Sequence, residues 1–228
     1  VLSNTGAFFV GGQPVTTKIG LFTESHSDWI ATNVGGEGFS LSNIQLGRYR
    51  LNLVRGVREG GGLYKDYTVT AATDISGGTL RGTVVGLVED DEVKSHDYAI
   101  EGTWVTGPLS LSGAWAYHGA SETSAYQLRA ETSLIPNVNL IGRVYSAGEG
   151  FAPRYARTGA LWGWFLDGGT YQWLERWRTT AFTAGIDGYE LIASTTMNSV
   201  QLNLTYRSDT TLAIDETGRT LSVTASTT

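Results

Sequence analysis

Residues 98–106 read Tyr-Ala-Ile-Glu-Gly-Thr-Trp-Val-Thr, and three further stretches of nine residues repeat this alternation of apolar and polar side chains. The other stretches are Leu109-Ser-Leu-Ser-Gly-Ala-Trp-Ala-Tyr117, Tyr126-Gln-Leu-Arg-Ala-Glu-Thr-Ser-Leu134 and Val138-Asn-Leu-Ile-Gly-Arg-Val-Tyr-Ser146. Successive side chains of a β-strand point to opposite faces, so each stretch divides into an apolar row and a polar or small row. The alternation predicts consecutive strands with one apolar face and one hydrophilic face.

The same rhythm recurs along the rest of the chain, at residues 48–53, 200–207 and 221–224. Three Gly-containing signals indicate further hairpin turns: Asp167-Gly168-Gly169, Asp187-Gly188 and Thr217-Gly218. Segments between such signals number about twelve to sixteen. We therefore expect a single all-β domain over residues 1–228, or a segment of a longer chain.

Strand length and aromatic placement decide what the apolar face touches. Nine residues at about 3.4 Å each, tilted by roughly 40°, span about 23 Å, which is close to the apolar band of an outer-membrane barrel. The tyrosines of the apolar row lie beside the longer connections, as amphipathic rings do at headgroup level. These predicted membrane-interface aromatics are Tyr98, Tyr117, Tyr126 and Tyr206. The sequence thus predicts an antiparallel up-and-down transmembrane β-barrel, complete or as a segment of a larger barrel.

Connections of two lengths support this prediction. Tight turns are expected around Gly107-Pro108 and Pro136-Asn137, whereas residues 89–97, 118–125 and 147–157 are predicted to be longer, polar or Gly-rich loops. Bacterial barrels alternate short periplasmic turns with long external loops. The tyrosine ends of the strands are therefore expected to face outward from the cell.

The polar row carries most of the arginines, which are thirteen of the sixteen basic residues. In a barrel these side chains project into the lumen, where arginines and acids select small hydrophilic solutes by size and charge. The alternative is a solvated sheet face held by cross-strand ion pairs, each worth under about 1 kcal/mol. The predicted pore-lining residues are Arg48, Arg50, Arg81, Glu101, Arg129, Glu131, Arg143, Arg176, Arg178 and Arg207.

Composition excludes several classes of protein. The 22 acids against 16 bases give a net charge of −6, which argues against a nucleic-acid partner. The absence of Cys removes disulfides and thiolate sites. The three histidines, His26, His96 and His118, are predicted to lie in loops without a nucleophile elbow or metal pair, so we expect neither an enzyme nor a cofactor.

Two local segments offer further candidates. A Trp-rich hairpin is predicted around residues 161–178, with Trp162, Trp164, Trp173 and Trp177 on one row; it serves either as a lipid-facing or packed surface or as a platform for a sugar or polyene. The acidic run Glu89-Asp90-Asp91-Glu92 is a candidate for divalent cations, although it lacks the EF-hand pattern and a solvated loop tip is the favoured interpretation.

The chain also resembles a known family. The cadence resembles the barrel region of S-layer-associated outer-membrane proteins of Deinococcus and Thermus relatives. The resembling stretches are Tyr98-Ala-Ile-Glu-Gly-Thr-Trp, Gly107-Pro-Leu-Ser-Leu-Ser-Gly-Ala-Trp-Ala-Tyr117, Tyr126-Gln-Leu-Arg-Ala-Glu-Thr-Ser-Leu134 and Val144-Tyr-Ser-Ala-Gly-Glu-Gly-Phe-Ala-Pro153. The resemblance spans residues 40–225 as a rhythm. It implies a barrel that anchors and permeabilises the outer membrane, although this sequence holds neither the family's S-layer-homology domain nor its coiled coil.

These observations predict a protein of the bacterial outer membrane, acting as a pore for small hydrophilic solutes or as an envelope anchor. Its expected partners are outer-membrane lipid, other envelope or S-layer proteins, and further copies of itself. Two alternatives stay open. One is a soluble β-sandwich that binds carbohydrate through the Trp-rich hairpin, and the other is a structural subunit of a surface layer.

Overall fold

The computed structural model describes residues 4–27, 29–31, 34–59, 63–89, 92–151, 164–167, 170–173, 184–197 and 199–227. Fifteen β-strands make up most of this part of the chain. In order they are β1 Asn4–Val10, β2 Gln13–Glu24, β3 Val34–Leu46, β4 Tyr49–Glu59, β5 Leu63–Ile75, β6 Gly78–Glu89, β7 Glu92–Thr106, β8 Leu109–His118, β9 Thr123–Ile135, β10 Val138–Ala147, β11 Trp164–Asp167, β12 Thr170–Trp173, β13 Ile186–Met197, β14 Val200–Thr211 and β15 Glu216–Thr227.

Thirteen of the strands form one antiparallel sheet in which neighbours in sequence are neighbours in space. The order runs from β1 to β10 and continues with β13, β14 and β15, while β11 and β12 form a separate hairpin. The predicted all-β, up-and-down antiparallel architecture is confirmed, and thirteen strands fall within the predicted number. Barrel closure is not shown, because no pairing joins β1 to β15 among the described residues.

The two rows of each strand lie in opposite environments. The apolar row is exposed, with Ile100 at 53 %, Leu128 at 58 % and Leu191 at 55 % of their accessible surface. The opposite row contains most of the buried side chains, and these are mainly small or polar. A water-soluble sheet normally buries its apolar row, so this distribution is inverted.

The sheet is strongly curved toward the polar row. Asn43 of β3 and Gln127 of β9 line the same cavity, although six strand-to-strand steps in a flat sheet would separate them by roughly 29 Å. We call this concave side the inner face and the apolar side the outer face. The thirteen strands form one continuous sheet rather than the two separate sheets of a sandwich in this part of the chain.

Connections at the two edges of the sheet differ in length. At one edge, which we call the turn edge, two residues separate the strands of each of six hairpins: 11–12, 47–48, 76–77, 107–108, 136–137 and 198–199. The opposite loop edge carries the remaining connections, including residues 25–33 and 148–185. The tight hairpins predicted at Gly107-Pro108 and Pro136-Asn137 both lie at the turn edge. The predicted separation into short turns and longer loops is confirmed only in part, because β6 and β7 are separated by two residues at the loop edge.

A β-bulge in β3 keeps the apolar row on one face. The pairing with β4 shifts between Leu41 and Ile44, and Asn43 adopts a left-handed conformation with φ of 65°. Its backbone N–H donates to Asn52 Oδ1 at 3.0 Å. The extra residue reverses the alternation, so that Ile44 falls on the same face as Leu41 despite their odd spacing.

Several sequence predictions about turns were wrong. Asp187-Gly188 lies within β13 and Thr217-Gly218 lies within β15, where both dipeptides pair with β14. Residues 89–97 are mostly strand rather than loop, because β6 ends at Glu89 and β7 begins at Glu92. The strands of the meander also extend beyond nine residues in most hairpins, up to fifteen in β7. The Asp167-Gly168-Gly169 hairpin is confirmed by the pairing of Asp167 with Thr170.

Candidate functional site

Arginines and acids of the inner face form a series of ion pairs. Most of the predicted pore-lining residues lie on this face in register, since Arg81 pairs opposite Glu101 and Arg143 opposite both Arg129 and Glu190. The salt bridges are Arg50–Asp74 at 2.8 Å, Arg81–Glu101 at 3.1 Å, Arg129–Glu131 at 2.7 Å, Arg143–Glu190 at 2.6 Å and Arg207–Asp209 at 2.5 Å. Opposite charges thus lie side by side instead of facing each other across an opening.

One predicted pore-lining arginine within the described residues, Arg48, is not part of this series of ion pairs. Arg48 lies in the turn between β3 and β4, where its guanidinium donates to the Tyr49 hydroxyl at 2.9 Å. Arg176 and Arg178 lie outside the described residues. The inner face also holds acids that the sequence did not single out, namely Asp74, Glu190 and Asp209. The strands β5 and β13 were not divided into rows, and the row predicted in β14 ended at residue 207.

A chain segment from the loop edge fills part of the concave side. Residues 25–31, with residue 28 outside the described part, follow β2, and we call them the inserted segment. His26 N–H donates to Ala31 carbonyl oxygen at 2.8 Å, and Ala31 N–H donates back to Ser27 at 3.0 Å. The segment closes on itself through these bonds, and its Trp29, Ile30 and Ala31 are 5 % exposed or less.

Four alanines form the surface that receives this segment. Ala99, Ala116, Ala125 and Ala147 stand directly opposite one another on β7 to β10, and we call them the alanine row. Together with Phe151 they belong to one buried apolar cluster with the residues of the inserted segment. A methyl side chain leaves room above the sheet, so the bulkier side chains of the inserted segment can pack against the inner face at the alanine row.

Glu24 ties the base of the inserted segment to the sheet. Its carboxylate accepts from Ser40 Oγ at 2.9 Å, lies 2.8 Å from Lys18 Nζ and lies 3.2 Å from His26 Nε2. Lys18 and Ser40 face each other on β2 and β3. The cluster joins a loop residue to two strands, and hydrogen bonds to a charged group are worth about 1.5–3 kcal/mol each.

A polar cavity of about 480 Å³ lies on the inner face beside the inserted segment. His26 and Trp29 border it from that segment, and Arg50, Arg81 and Glu101 border it from the sheet. The remaining lining is largely uncharged and includes Asn43, Asn52, Thr70, Thr103, Ser112 and Gln127. A second cavity of about 320 Å³ lies toward the turn edge of β9, β10, β13 and β14, and Gln201 and Ser194 line it.

A buried cluster links three strands on the inner face. The Tyr145 hydroxyl donates to Asp209 Oδ1, and Arg143 and Arg207 place their guanidinium carbons 5.5 and 5.7 Å from the centre of the Tyr145 ring. Gly188 of β13 lies between them, and a Cβ there would come within 2.5 Å of Asp209 Oδ1. This glycine is therefore required for contact between strands β10 and β14 rather than for a turn.

The predicted interface tyrosines all lie on the outer face, where they form part of an aromatic band. Tyr98 lies 6.2 Å from Tyr117 between ring centres, and Tyr117 lies 6.5 Å from Trp115. Tyr126 stands opposite Trp115 in the β8–β9 register. On β13 and β14, Tyr189 and Tyr206 lie 5.9 Å apart. A second level of rings lies at the turn edge, where Trp104 Nε1 donates to the Ser76 carbonyl oxygen at 3.0 Å.

The histidines are placed differently from the loop prediction, which was wrong for two of them. His96 lies in β7 on the outer face with its Nε2 2.5 Å from the Tyr67 hydroxyl, and His118 ends β8 with Nδ1 2.8 Å from Asp97. Only His26 lies outside a strand.

Two of the four residues of the acidic run, Glu89 and Glu92, lie within the described part of the chain. Asp90 and Asp91 lie outside the described residues, Glu89 ends β6, and Glu92 begins β7 and accepts from Lys94 at 2.9 Å. Within the described residues, no cluster of three or more His, Asp or Glu side chains could hold a metal ion. In the same part of the chain, no helix is long and apolar enough to cross a membrane.

Comparison with known proteins gives no family for this chain. No protein-family model matches it, and no curated protein does so either. The resemblance to S-layer-associated outer-membrane proteins therefore remains an expectation drawn from the rhythm of the strands.

Proposed function

We propose that the chain is a bacterial outer-membrane β-barrel that forms a pore for small hydrophilic solutes and is anchored in the envelope by its lipid-facing surface. The observation that carries this proposal is the inverted sheet, with apolar side chains exposed on the outer face and charged or small ones on the inner face. Each large apolar side chain gains about 1.5–3 kcal/mol on leaving water. A continuous surface of this kind indicates a membrane or a partner rather than free solution.

The aromatic rings support the same proposal. The band containing Tyr98, Tyr117 and Trp115 lies toward the loop edge, whereas Trp104 lies at the turn edge. Outer-membrane barrels carry aromatic girdles at both interfaces, with an apolar band about 25 Å tall between them. In this orientation the short turns face the periplasm.

The proposed function also requires the sheet to close into a barrel. Both β1 and β15 run from the loop edge to the turn edge. Eleven strands lie between them in the sheet, and an odd number of intervening antiparallel strands leaves the first and the last pointing in the same direction. Closing thirteen strands therefore joins β1 to β15 as parallel neighbours. If the chain is a segment of a larger barrel, additional strands lie between these two edges.

The inserted segment sets what such a pore passes. Trp29 and Ile30 occupy the inner face at the level of the alanine row, and the ion pairs lie on the remaining inner surface. A lumen narrowed in this way admits small solutes, and its charged lining keeps the path hydrated.

Planar-bilayer recording of the purified chain tests the proposal. Discrete ion-conducting steps, together with extraction only by detergent and migration that changes on heating, are the expected results. A detergent-free monodisperse protein retained on a glycan column would instead favour the carbohydrate-binding sandwich. Ordered assembly without conductance would favour a surface-layer subunit.

A further inference from the structure

The cavity beside the inserted segment has the size and position of a solute-binding site. Its volume of about 480 Å³ falls within the roughly 300–1,000 Å³ common to small-molecule pockets. Strands β3 to β9 and the inserted segment line it on its protein side, so that strands of the sheet position most of its lining. A solute crossing the inner face would meet this cavity where the inserted segment narrows the path.

The charged groups of the cavity are already paired. Arg50 lies 2.8 Å from Asp74, and Arg81 lies 3.1 Å from Glu101. An ionic solute would have to displace a partner from one of these pairs before it could make a charge-assisted contact of its own. The two arginines and the glutamate of the described lining thus have their charges matched before a solute arrives.

The uncharged lining is rich in groups that bind hydroxyls. Asn43, Asn52 and Gln127 offer amide donors and acceptors, while Thr103 and Ser112 add hydroxyls that both donate and accept. Trp29 contributes an aromatic surface at the border of the cavity. Neutral polyols present many donors and acceptors in the same mixture, and the C–H faces of a sugar ring pack against aromatic rings.

We infer that this cavity binds a small neutral polyhydroxylated solute of the size class of a mono- or disaccharide. The inference rests on the proposed pore function for the route by which the solute arrives, but binding itself requires only the folded chain.

Titration calorimetry of the full chain in detergent, with sucrose as the probe, tests this inference. The variant Gln127→Leu alters the cavity, and Gln201→Leu makes the same change in the second cavity as a matched control. Saturable sucrose binding is expected. It should weaken roughly 3- to 10-fold in Gln127→Leu, because a neutral hydrogen bond is lost, and stay unchanged in Gln201→Leu. Ser112→Ala and Ser194→Ala form a second matched pair if a leucine variant fails to fold.

Several outcomes would overturn the inference. One is that the chain binds glycylglycine or inorganic phosphate but not sucrose. Another is that the two variants of a matched pair bind sucrose with equal affinity, and a third is that no probe gives a heat of binding. Bilayer recording of the same preparation separates the two proposals. Conducting steps without sucrose binding would support the pore proposal and contradict the solute assignment. Sucrose binding without conductance would support the solute assignment and contradict the pore proposal.

Discussion

Single residues with the smallest side chains decide what the inner face of this sheet can hold. The alanine row places short side chains against the inserted segment on four consecutive described strands, β7 to β10. Charged side chains such as Arg129 and Arg143 lie further along two of these strands, toward the turn edge. The position of the inserted segment is thus a consequence of side-chain size at four sites.

We predict that Ala116→Phe displaces the inserted segment. Ala116 is fully buried, and overpacking of this kind costs about 1–3 kcal/mol. The variant should unfold at lower temperature in detergent and show larger single-channel conductance, because Trp29 and Ile30 no longer fill the inner face. Ala130→Phe, on the outer face of the neighbouring strand, should change neither quantity. Unaltered conductance in Ala116→Phe would contradict a blocking role for the segment.

The bulge at Asn43 gives a second prediction at this scale. A left-handed backbone costs a side-chain-bearing residue about 1–2 kcal/mol, which Asn tolerates better than β-branched residues. Asn43→Val should therefore lower the midpoint of thermal unfolding, whereas Asn43→Gly should leave it close to that of the parent. Equal midpoints for the two variants would show that the positive φ of 65° carries no strain.

Each strand of the sheet has one row of side chains on the inner face and one on the outer face. Alternation in the sequence was sufficient to divide β7, β8, β9, β10 and β14 correctly, because a period of two leaves one choice per strand. The prediction from the sequence failed at Gly188, where glycine permits a close contact between strands rather than a turn. Gly188 was predicted as a turn, but it lies where Tyr145 reaches Asp209 across β13. Such a contact joins residues far apart in sequence and leaves no local pattern.

The ion pairs show the same limit. The arginines of the polar row were predicted from single strands, but their partners Asp74 and Glu190 come from neighbouring strands whose register the sequence does not give. The inserted segment was missed for a related reason. Residues 25–31 look like an ordinary loop, and only the curvature of the sheet places them against the alanine row.

Row identity in β14 gives a prediction about lipid contact. Leu204 lies on the outer face and is 45 % exposed, while its neighbour Thr205 lies on the inner face. Leu204→Arg should destabilise the protein in lipid vesicles by about 2–4 kcal/mol, as a charge does at mid-depth in a bilayer. Thr205→Arg should be tolerated much better. Denaturant unfolding in vesicles measures both, and the opposite order would place the apolar row away from hydrocarbon.

For the whole molecule, the proposed pore function predicts that the balance of charge on the inner face sets ion selectivity. Arg129→Glu combined with Arg143→Glu converts two paired cations into carboxylates that lie beside Glu131 and Glu190. Reversal potentials in a salt gradient should shift toward cation selectivity. Arg219→Glu, on the outer row of β15, should leave the potential unchanged. An unshifted potential in the double variant would remove these residues from the lumen assignment.

Closure of the sheet is testable because the chain contains no cysteine. Ala7→Cys on β1, combined in turn with Thr220→Cys, Ser222→Cys or Thr224→Cys on β15, places thiols on inner rows of the two edge strands. One combination should form an intramolecular disulfide, because paired strands bring Cβ atoms within bonding reach. Failure of all three would favour a segment of a larger barrel.

The meander also has a consequence for how the chain folds. Eleven of the twelve pairings in the long sheet join strands consecutive in sequence, and the one exception spans residues 148–185. Short loop closures lose little chain entropy, and each doubling of loop length adds only about 0.6 kcal/mol. Contacts of low sequence separation also form quickly. Assembly of the described sheet can therefore proceed by adding one hairpin after another in order of synthesis, and the slowest of these pairings is expected to be that of β10 with β13, which closes the longest connection.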